Sequence, residues 1–183
     1  MDDLHWLGLD WDEGPYYQSE RGDIYEHYLK LLTDKGLTYP CYCTRADILA
    51  TQAPHESDGR VVYKGTCRNL APGVKTGPAA IRMKVPSEGE GFLSFTDGHY
   101  GMQTIDLTTH CGDFIVRRKD GAWAYQLAVV VDDALMGINE VVRGCDLLLS
   151  SPQQIYLALQ LDFAPPHFTH LPLLCNKKRQ RII

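Results

Sequence analysis

The chain has 183 residues, 44% of them apolar and 22% charged, and its 18 basic and 23 acidic side chains give a formal net charge of −5 at pH 7. These values are ordinary for a folded globular protein and exclude wholesale disorder. The mild acidic excess excludes a protein that coats nucleic acid indiscriminately, and no stretch approaches the roughly 18 apolar residues of a membrane span.

The first residues lack the basic and apolar regions of a secretory signal peptide, which predicts a cytoplasmic protein. In a reducing compartment the six cysteines are not expected to form disulfides. Cys111, Cys145 and Cys175 each stand alone among apolar or small residues. We expect these three to be small side chains that are buried or half-buried.

The first part of the chain predicts a helix followed by short strands. Apolar residues at helical spacing over 19–32 predict a helix with Ser19 as its N-cap and a stop at Gly36. A short strand follows, and Thr44 opens a short capped helix. Alternating runs between turn-rich loops then predict a small β-rich insertion over 37–110.

Beyond residue 110 the pattern changes to alternating strands and helices. Asp120-Gly121 between two strand-like runs predicts a hairpin. The apolar run 127–131 fits either a buried helix or a buried strand. A strand over 140–144 precedes a helix that opens at Ser151. This order predicts an α/β fold.

The cysteines at 41 and 43 form a C-x-C pair, and Cys67 follows further along the chain. Three thiolates suit a soft cation such as zinc, although the familiar pattern is C-x-x-C with a fourth Cys or His. The fourth ligand is open between Tyr63, His55, Asp58 and water. The alternative is a structural pair of cysteines on a strand and an unrelated third.

Two polar residues of the second half are candidates for a ligand site. Arg143 precedes Gly144 at the end of a predicted strand, and Tyr125 ends the predicted hairpin. Ligands of open α/β sheets bind beyond the carboxyl ends of strands, and an arginine fork suits a carboxylate. The alternative is a surface arginine and a core tyrosine. Of the adjacent pair Asp132-Asp133, we expect one to be a structural cap or an ion-pair partner.

Several motifs occur in the order in which class I glutamyl-tRNA synthetases carry them. They are Leu4–Asp12, Tyr17–Arg21, Tyr39–Arg45, Asp113–Gly121, Ala124–Asp133 and Val142–Asp146. On these motifs the chain resembles the catalytic core of that family from residue 4 to about 176. The segments Cys41–Arg45 and Tyr63–Arg68 make it most similar to the shortened members that lack an anticodon-binding domain.

The resemblance implies a Rossmann-type catalytic domain with a zinc-bearing insertion, divided into a helical part of the core (1–36), the β-rich insertion (37–110) and the remaining core (111–183). The zinc ligands that it implies are Cys41, Cys43, Tyr63 and Cys67. A phenolate ligand is unusual, because the metal must lower a phenol pKa near 10.

The resemblance also implies substrates and partners. Tyr125 and Arg143 correspond to the glutamate-binding pair, and ATP, with Mg²⁺, is the second substrate. The reaction implied is formation of glutamyl-adenylate and transfer of the glutamate to the queuosine base of tRNA(Asp), by a protein that we expect to be a monomer with no membrane partner.

Two ATP-binding signatures of the family have no counterpart here, because the family's opening strand–loop–helix unit and its lysine-rich loop fall outside residues 1–183. No catalytic residue is therefore assigned. The resemblance predicts a partial catalytic domain that is inactive as written. The alternative is a non-catalytic remnant that contains zinc or binds tRNA.

Overall fold

The structure, a computed structural model, describes residues 2–50, 62–71 and 73–176. Its helices are α1 (Asp2–Trp6), α2 (Gly22–Asp34), α3 (Arg45–Ala50), α4 (Leu107–His110), α5 (Tyr125–Leu135) and α6 (Ser151–Gln160). Its strands are β1 (Thr38–Cys41), β2 (Ala80–Met83), β3 (Phe92–Asp97), β4 (Gly101–Asp106), β5 (Phe114–Arg117), β6 (Glu140–Gly144) and β7 (His167–Leu171). No helix within these ranges is long and apolar enough to cross a membrane.

The strands form two sheets. An antiparallel sheet has the order β1-β2-β5, and a mixed sheet has the order β4-β3-β7-β6. In the mixed sheet β6 and β7 are parallel and are joined through α6, which is the crossover that parallel strands require. Their register pairs Arg143 with His170, so this crossover brings two polar side chains together near the ends of neighbouring strands.

The core lies where α2, α5 and α6 pack against one another and against the sheets. Each helix contributes side chains that are fully buried: Tyr25 and Leu32 from α2, Leu127 and Val131 from α5, and Leu157 from α6. Burial of such large apolar side chains contributes about 1.5–3 kcal/mol each. This core fixes the starts of α5 and α6, where the candidate site lies.

Most of the elements predicted from sequence are present, and two of them are refined by the structure. The helix predicted over 19–32 starts at Gly22 after a short 3₁₀ turn, Gln18–Glu20, so Ser19 is not its N-cap. Its stop at Gly36 is confirmed, with a φ of +72°. The apolar run 127–131 is helical and belongs to α5.

The hairpin predicted around Asp120-Gly121 is present but short, with backbone hydrogen bonds from the Arg118 N–H to the Ala122 carbonyl at 2.8 Å and from the Ala124 N–H to the Val116 carbonyl at 3.2 Å. The returning chain makes a single bridge, Arg117 to Trp123, before α5 begins at Tyr125. The capped start of α3 is confirmed, because the Thr44 N–H donates to Asp47 Oδ2 at 2.7 Å and the Asp47 N–H donates to Thr44 Oγ1 at 3.2 Å.

The segment 37–110 contributes strands to both sheets. β1 pairs with β2, which in turn pairs with β5, while β3 pairs with β7 at Asp97 and Phe168. Each sheet therefore combines strands of 37–110 with strands of 111–183. The boundaries of the three-part division stay a prediction.

Candidate amino-acid pocket and cysteine cluster

Tyr125 and Arg143, the two residues singled out for a ligand site, are in contact. Tyr125 is the first residue of α5 and is half exposed, and Arg143 lies near the end of β6 and is partly buried. Arg143 Nη1 donates a hydrogen bond to the Tyr125 hydroxyl at 3.3 Å. The folded chain thus joins two residues that are 18 positions apart in sequence.

The guanidinium of Arg143 also contacts Ser151, His170 and Phe168. Nη2 donates to Ser151 Oγ at 2.8 Å, and Nε donates to His170 Nε2 at 3.1 Å. The plane also lies over Phe168, with Cζ 4.9 Å from the ring centroid. Within the described part of the chain these hydrogen bonds use three of the five N–H donors, which leaves one on each Nη for a ligand.

The buried carboxylate of Asp97 contacts His170. The imidazole is fully buried, and its Nδ1 lies 2.6 Å from Asp97 Oδ2. Asp97 Oδ1 also accepts the backbone N–H groups of His99 and Tyr100 at 3.0 and 2.8 Å. Burial raises the pKa of Asp97, but the hydrogen bonds from His170 and from the backbone outweigh it and bring the pKa to about 2.

The charge of Arg143 is offset by nearby groups. Burial lowers the pKa of the guanidinium, while attraction to Tyr125, Asp133 and Asp146 opposes that effect, and an arginine stays charged in either case. Burial raises the pKa of Asp133, and the charge of Arg143 acts against it. Arg143 therefore offers a fixed cation to an anionic ligand.

The neighbouring residue Asp132 has a structural role. It lies on the buried side of α5 and accepts hydrogen bonds from Arg21 Nε at 2.7 Å, Gln18 Nε2 at 2.9 Å and the Tyr25 hydroxyl at 2.8 Å. Burial, with the hydrogen bond to Asp132 second, raises the pKa of Tyr25 to about 12. The expectation that one member of the Asp132-Asp133 pair is an ion-pair partner is confirmed.

The cysteine cluster is formed by Cys41 at the end of β1, Cys43 just beyond it, and Cys67, with Tyr63 in its centre. The three sulfurs lie within 4.8 Å of one another. The Tyr63 hydroxyl is 3.4 Å from Cys41 Sγ and 3.6 Å from Cys43 Sγ, and the Sγ atoms of Cys43 and Cys67 are 3.5 Å apart. His55 and Asp58, the alternative fourth ligands, lie outside the described residues.

These distances fit four ligands around one small cation. Zn–S bonds of about 2.3 Å and a Zn–O bond of about 2.0 Å at tetrahedral angles place two sulfurs about 3.8 Å apart and sulfur and oxygen about 3.5 Å apart. The donor set of thiolates with one oxygen also suits zinc. The two sulfur–oxygen distances and the Cys43–Cys67 distance are therefore close to those of a tetrahedral zinc site.

The pKa values of the ligand groups in the cysteine cluster shift in different directions. Burial raises the pKa of the Cys67 thiol, but hydrogen bonds from Tyr63, the Tyr42 backbone and the other two thiols outweigh it and bring the pKa to about 7. Burial raises the pKa of Cys43, and burial and the adjacent thiols raise that of Tyr63. A metal bound here would displace protons from these groups.

The cluster is attached to the core through residues 112 and 113. Tyr63 forms a parallel bridge with Gly112, and the Arg82 guanidinium lies 3.8 Å from the centre of the Tyr63 ring. Asp113, which is buried, accepts hydrogen bonds from Arg68 Nη1 at 3.1 Å and from the Tyr39 hydroxyl at 2.7 Å. A cleft of about 1070 Å³ opens beside the cluster, with Arg45 and Lys119 among the residues that line it.

The chain is similar to known proteins over its whole length. The family described as "tRNA synthetases class I (E and Q), catalytic domain" matches residues 1–182. The chain belongs to this family. It is 44% identical to the glutamyl-Q tRNA(Asp) synthetase of Nitratidesulfovibrio vulgaris, with 100% of this chain and 60% of that protein covered. It is 47% identical to the glutamyl-Q tRNA(Asp) synthetase of Geobacter sulfurreducens, with 93% of this chain and 54% of that protein covered.

A solved class I synthetase structure shares the fold. The glutamate tRNA ligase of Elizabethkingia meningosepticum, solved in complex with its amino acid, superposes with a TM-score of 0.77 at 27% identity. The match covers 96% of this chain and 39% of that one. The chain spans 60% or less of the length of these three proteins.

The α/β fold and the resemblance to class I glutamyl-tRNA synthetases, including their shortened glutamyl-Q tRNA(Asp) members, are thereby confirmed. The roles of Tyr125 and Arg143 and the zinc ligand set stay predictions. Sequence patterns did not point to Asp97, Ser151 or His170, since the signals there were an Asp-Gly pair ending a strand, a serine opening a helix and a histidine within a short strand. Cys111 and Cys145 are partly buried as expected, but Cys175 is exposed, so that expectation was wrong.

Proposed function

We propose that this synthetase domain takes part in activating glutamate with ATP and in transferring it to the queuosine base of tRNA(Asp). The observation that carries the proposal is the guanidinium of Arg143, held on three sides and flanked by the half-exposed Tyr125, with one N–H on each Nη left for a carboxylate. The names of the relatives, glutamyl-Q tRNA(Asp) synthetase, supply the substrate and the tRNA.

In the first step a carboxylate oxygen of glutamate attacks the α-phosphorus of ATP, bound with Mg²⁺. An O–P bond forms, the bond to pyrophosphate breaks, and glutamyl-adenylate results. In the second step a hydroxyl group of the queuosine base attacks the carbonyl carbon, and AMP leaves. The chain contributes Arg143, which forms charge-assisted hydrogen bonds to a carboxylate of glutamate, and Tyr125, whose hydroxyl orients that pair.

An RNA partner is supported by the basic side chains in the cleft beside the cysteine cluster. Arg45 and Lys119 give this cleft positive charge within a chain of net negative charge. Lysine and arginine at such a place bind phosphates of the RNA backbone without reading its sequence. The identity of tRNA(Asp) rests on the relatives alone.

The cysteine cluster holds one zinc ion in this proposal, through Cys41, Cys43, Tyr63 and Cys67. Three distances among the ligand atoms, Cys41–Tyr63, Cys43–Tyr63 and Cys43–Cys67, support it, as does the lowered pKa of the Cys67 thiol. A structural zinc would tie the segment around residue 63 to β1 and contribute directly to its folding.

Two assays on the natural protein that contains this sequence test the function. The first is exchange of labelled pyrophosphate into ATP, which we expect to depend on glutamate and not on glutamine. The second is transfer of labelled glutamate to tRNA(Asp), which we expect with queuosine-containing tRNA and not with the same tRNA lacking queuosine. Glutamate attached equally to both tRNAs would contradict the assignment.

A further inference from the structure

Arg143 is in contact with a buried pair that no step of the proposed reaction uses. His170 and Asp97 have fully buried side chains, and they connect β7 with the end of β3. Because β6 and β7 pair Arg143 with His170, the imidazole lies directly beside the guanidinium. Burial of a histidine and a carboxylate costs free energy unless both side chains form hydrogen bonds.

The hydrogen bonds determine which ring nitrogen carries the proton. Asp97 Oδ1 accepts two backbone N–H groups, and Oδ2 faces both the ring and the His170 N–H at 3.2 Å. A carboxylate with this set of donors is an acceptor only, so Nδ1 of His170 must be the donor at 2.6 Å. Nε2 is then an acceptor, and it faces Nε–H of Arg143 at 3.1 Å and the Ser151 hydroxyl at 3.2 Å.

We propose that Asp97 and His170 are positioning residues: Asp97 fixes the tautomer of His170, and His170 Nε2 holds the guanidinium of Arg143 in the orientation that receives a carboxylate of glutamate. The inference deepens the proposed function and rests on it. Neither residue touches the substrate. Their effect is on the geometry of the one side chain that does.

The arrangement explains why a flexible side chain can serve as a selective site. An arginine loses much rotamer freedom when it binds a ligand, and a guanidinium fixed beforehand loses less. His170 fixes Nε, Ser151 fixes one N–H of Nη2, and the ring of Phe168 supports the plane. The remaining N–H groups on the two Nη atoms form the pair that binds a carboxylate in bidentate fashion.

Two substitutions at one position separate positioning from packing. His170→Asn keeps an amide donor at the place of Nδ1 for Asp97 and removes the acceptor at Nε2. His170→Gln puts an amide oxygen near the place of Nε2 and so restores the acceptor for Arg143. We expect His170→Asn to raise KM for glutamate about 10-fold to 100-fold with KM for ATP unchanged, and His170→Gln to recover most of that loss.

Asp97→Asn provides the second, independent test. Its amide oxygen accepts the backbone N–H groups and its NH₂ donates to Nδ1, which forces the proton of His170 to Nε2, where it meets Nε–H of Arg143. We expect the same selective rise in KM for glutamate, and a change of tautomer that ¹⁵N NMR of labelled histidine detects. Asp106→Asn is the control, because Asp106 is also buried but caps α4 at the opposite end of the β3–β4 hairpin.

The outcomes are distinguishable. If folded His170→Asn and Asp97→Asn proteins keep the wild-type KM for glutamate while Arg143→Ala loses binding, the positioning role is wrong and the proposed function stands. If Arg143→Ala also binds normally, the proposed function itself is wrong. If the His170→Asn and Asp97→Asn variants show equal rises in KM for glutamate and KM for ATP, and Asp106→Asn shows the same rises, the role of the pair is merely structural and the inference is overturned. Should His170→Asn not fold, the tautomer and KM of Asp97→Asn decide.

Discussion

The guanidinium of Arg143 is bound by groups on three different elements: Tyr125 at the start of α5, Ser151 at the start of α6 and His170 on β7. A side chain with four rotatable bonds is thereby held in one orientation before any ligand arrives. Each of the three partners accepts one N–H of Arg143, and substitution of each partner in turn measures its contribution to glutamate binding.

Tyr125 is the partner nearest to solvent. Tyr125→Phe removes the hydroxyl that accepts from Nη1 and keeps the ring. Because this tyrosine is 50% exposed, water replaces part of the lost bond, and we expect a loss of about 1 kcal/mol in glutamate binding, or about fivefold in KM. Steady-state kinetics with varied glutamate measure it. Tyr16→Phe, a change at another exposed tyrosine, is the control and should have no effect; a Tyr125→Phe protein that behaves like it would remove Tyr125 from the pocket.

Asp97 also makes stability depend on pH. Its pKa of about 2 in the folded protein lies below the ordinary value of 3.8, so its charge stabilises the fold fully above about pH 4, and that contribution is lost as the pH falls toward 2. We expect Asp97→Asn to lower the free energy of unfolding by about 2 kcal/mol at pH 7 and by much less near pH 2. Urea unfolding at both pH values measures it.

The exposed carboxylate of Asp34 provides the comparison for that experiment. Asp34→Asn removes a surface ion pair with Lys30, and we expect a change within about 0.5 kcal/mol at either pH. A difference between wild type and Asp97→Asn that stayed constant from pH 7 to pH 2 would contradict a carboxylate with a depressed pKa.

At the scale of elements, the cysteine cluster joins β1 to the segment around residue 63. A metal held by four side chains from these two segments contributes to folding only where its ligands lie. We expect Cys43→Ser to increase amide hydrogen exchange over residues 37–70 and to leave 111–170 largely protected. Cys175→Ser, which changes an exposed cysteine outside the cluster, is the control. Absence of zinc by elemental analysis in protein purified without chelator would contradict the proposal.

Gly112 makes the connection between the cluster and the core. Its φ is +62°, and a Cβ atom on this residue would lie 2.7 Å from the Tyr63 carbonyl oxygen, which leaves no room for a side chain. We expect Gly112→Ala to cost about 1–3 kcal/mol of stability and to weaken zinc binding in competition with a chelator. Gly36→Ala shares a positive φ of +72° but meets no atom within 4 Å, so it should lower stability without affecting zinc.

At the scale of the whole molecule, local patterns predicted the elements better than their pairing. Helical spacing identified α2 and α6, and capping residues identified α3, because these signals lie within a few residues of one another. The run 127–131 was ambiguous, since a fully buried helix and a fully buried strand show the same apolar pattern. The partners of β1 and β3 in two different sheets depend on contacts far apart in sequence.

In the candidate site, too, local sequence patterns identified some residues, while others depend on contacts far apart in sequence. Arg143 and Tyr125 could be found from sequence because Arg143 lies at the end of a recognisable strand and Tyr125 at the end of the predicted Asp120-Gly121 hairpin. Asp97, Ser151 and His170 could not, because an Asp in an Asp-Gly turn, a helix-opening serine and a histidine within a short strand each have common structural explanations. The parallel register of β6 and β7 and the pairing of β3 with β7 bring Asp97 and His170 to Arg143, and the start of α6 brings Ser151.

The central claim is that Arg143 receives a carboxylate of glutamate. The measurement that tests it most directly is glutamate-dependent pyrophosphate exchange by the natural protein and by its Arg143→Ala variant, with Arg117→Ala as control because Arg117 forms a surface ion pair with Glu26. We predict that Arg143→Ala lowers kcat/KM for glutamate by about 2–4 kcal/mol, roughly 30-fold to 1000-fold, while Arg117→Ala stays near wild type. Exchange in the Arg143→Ala protein equal to that of the wild type would contradict the claim.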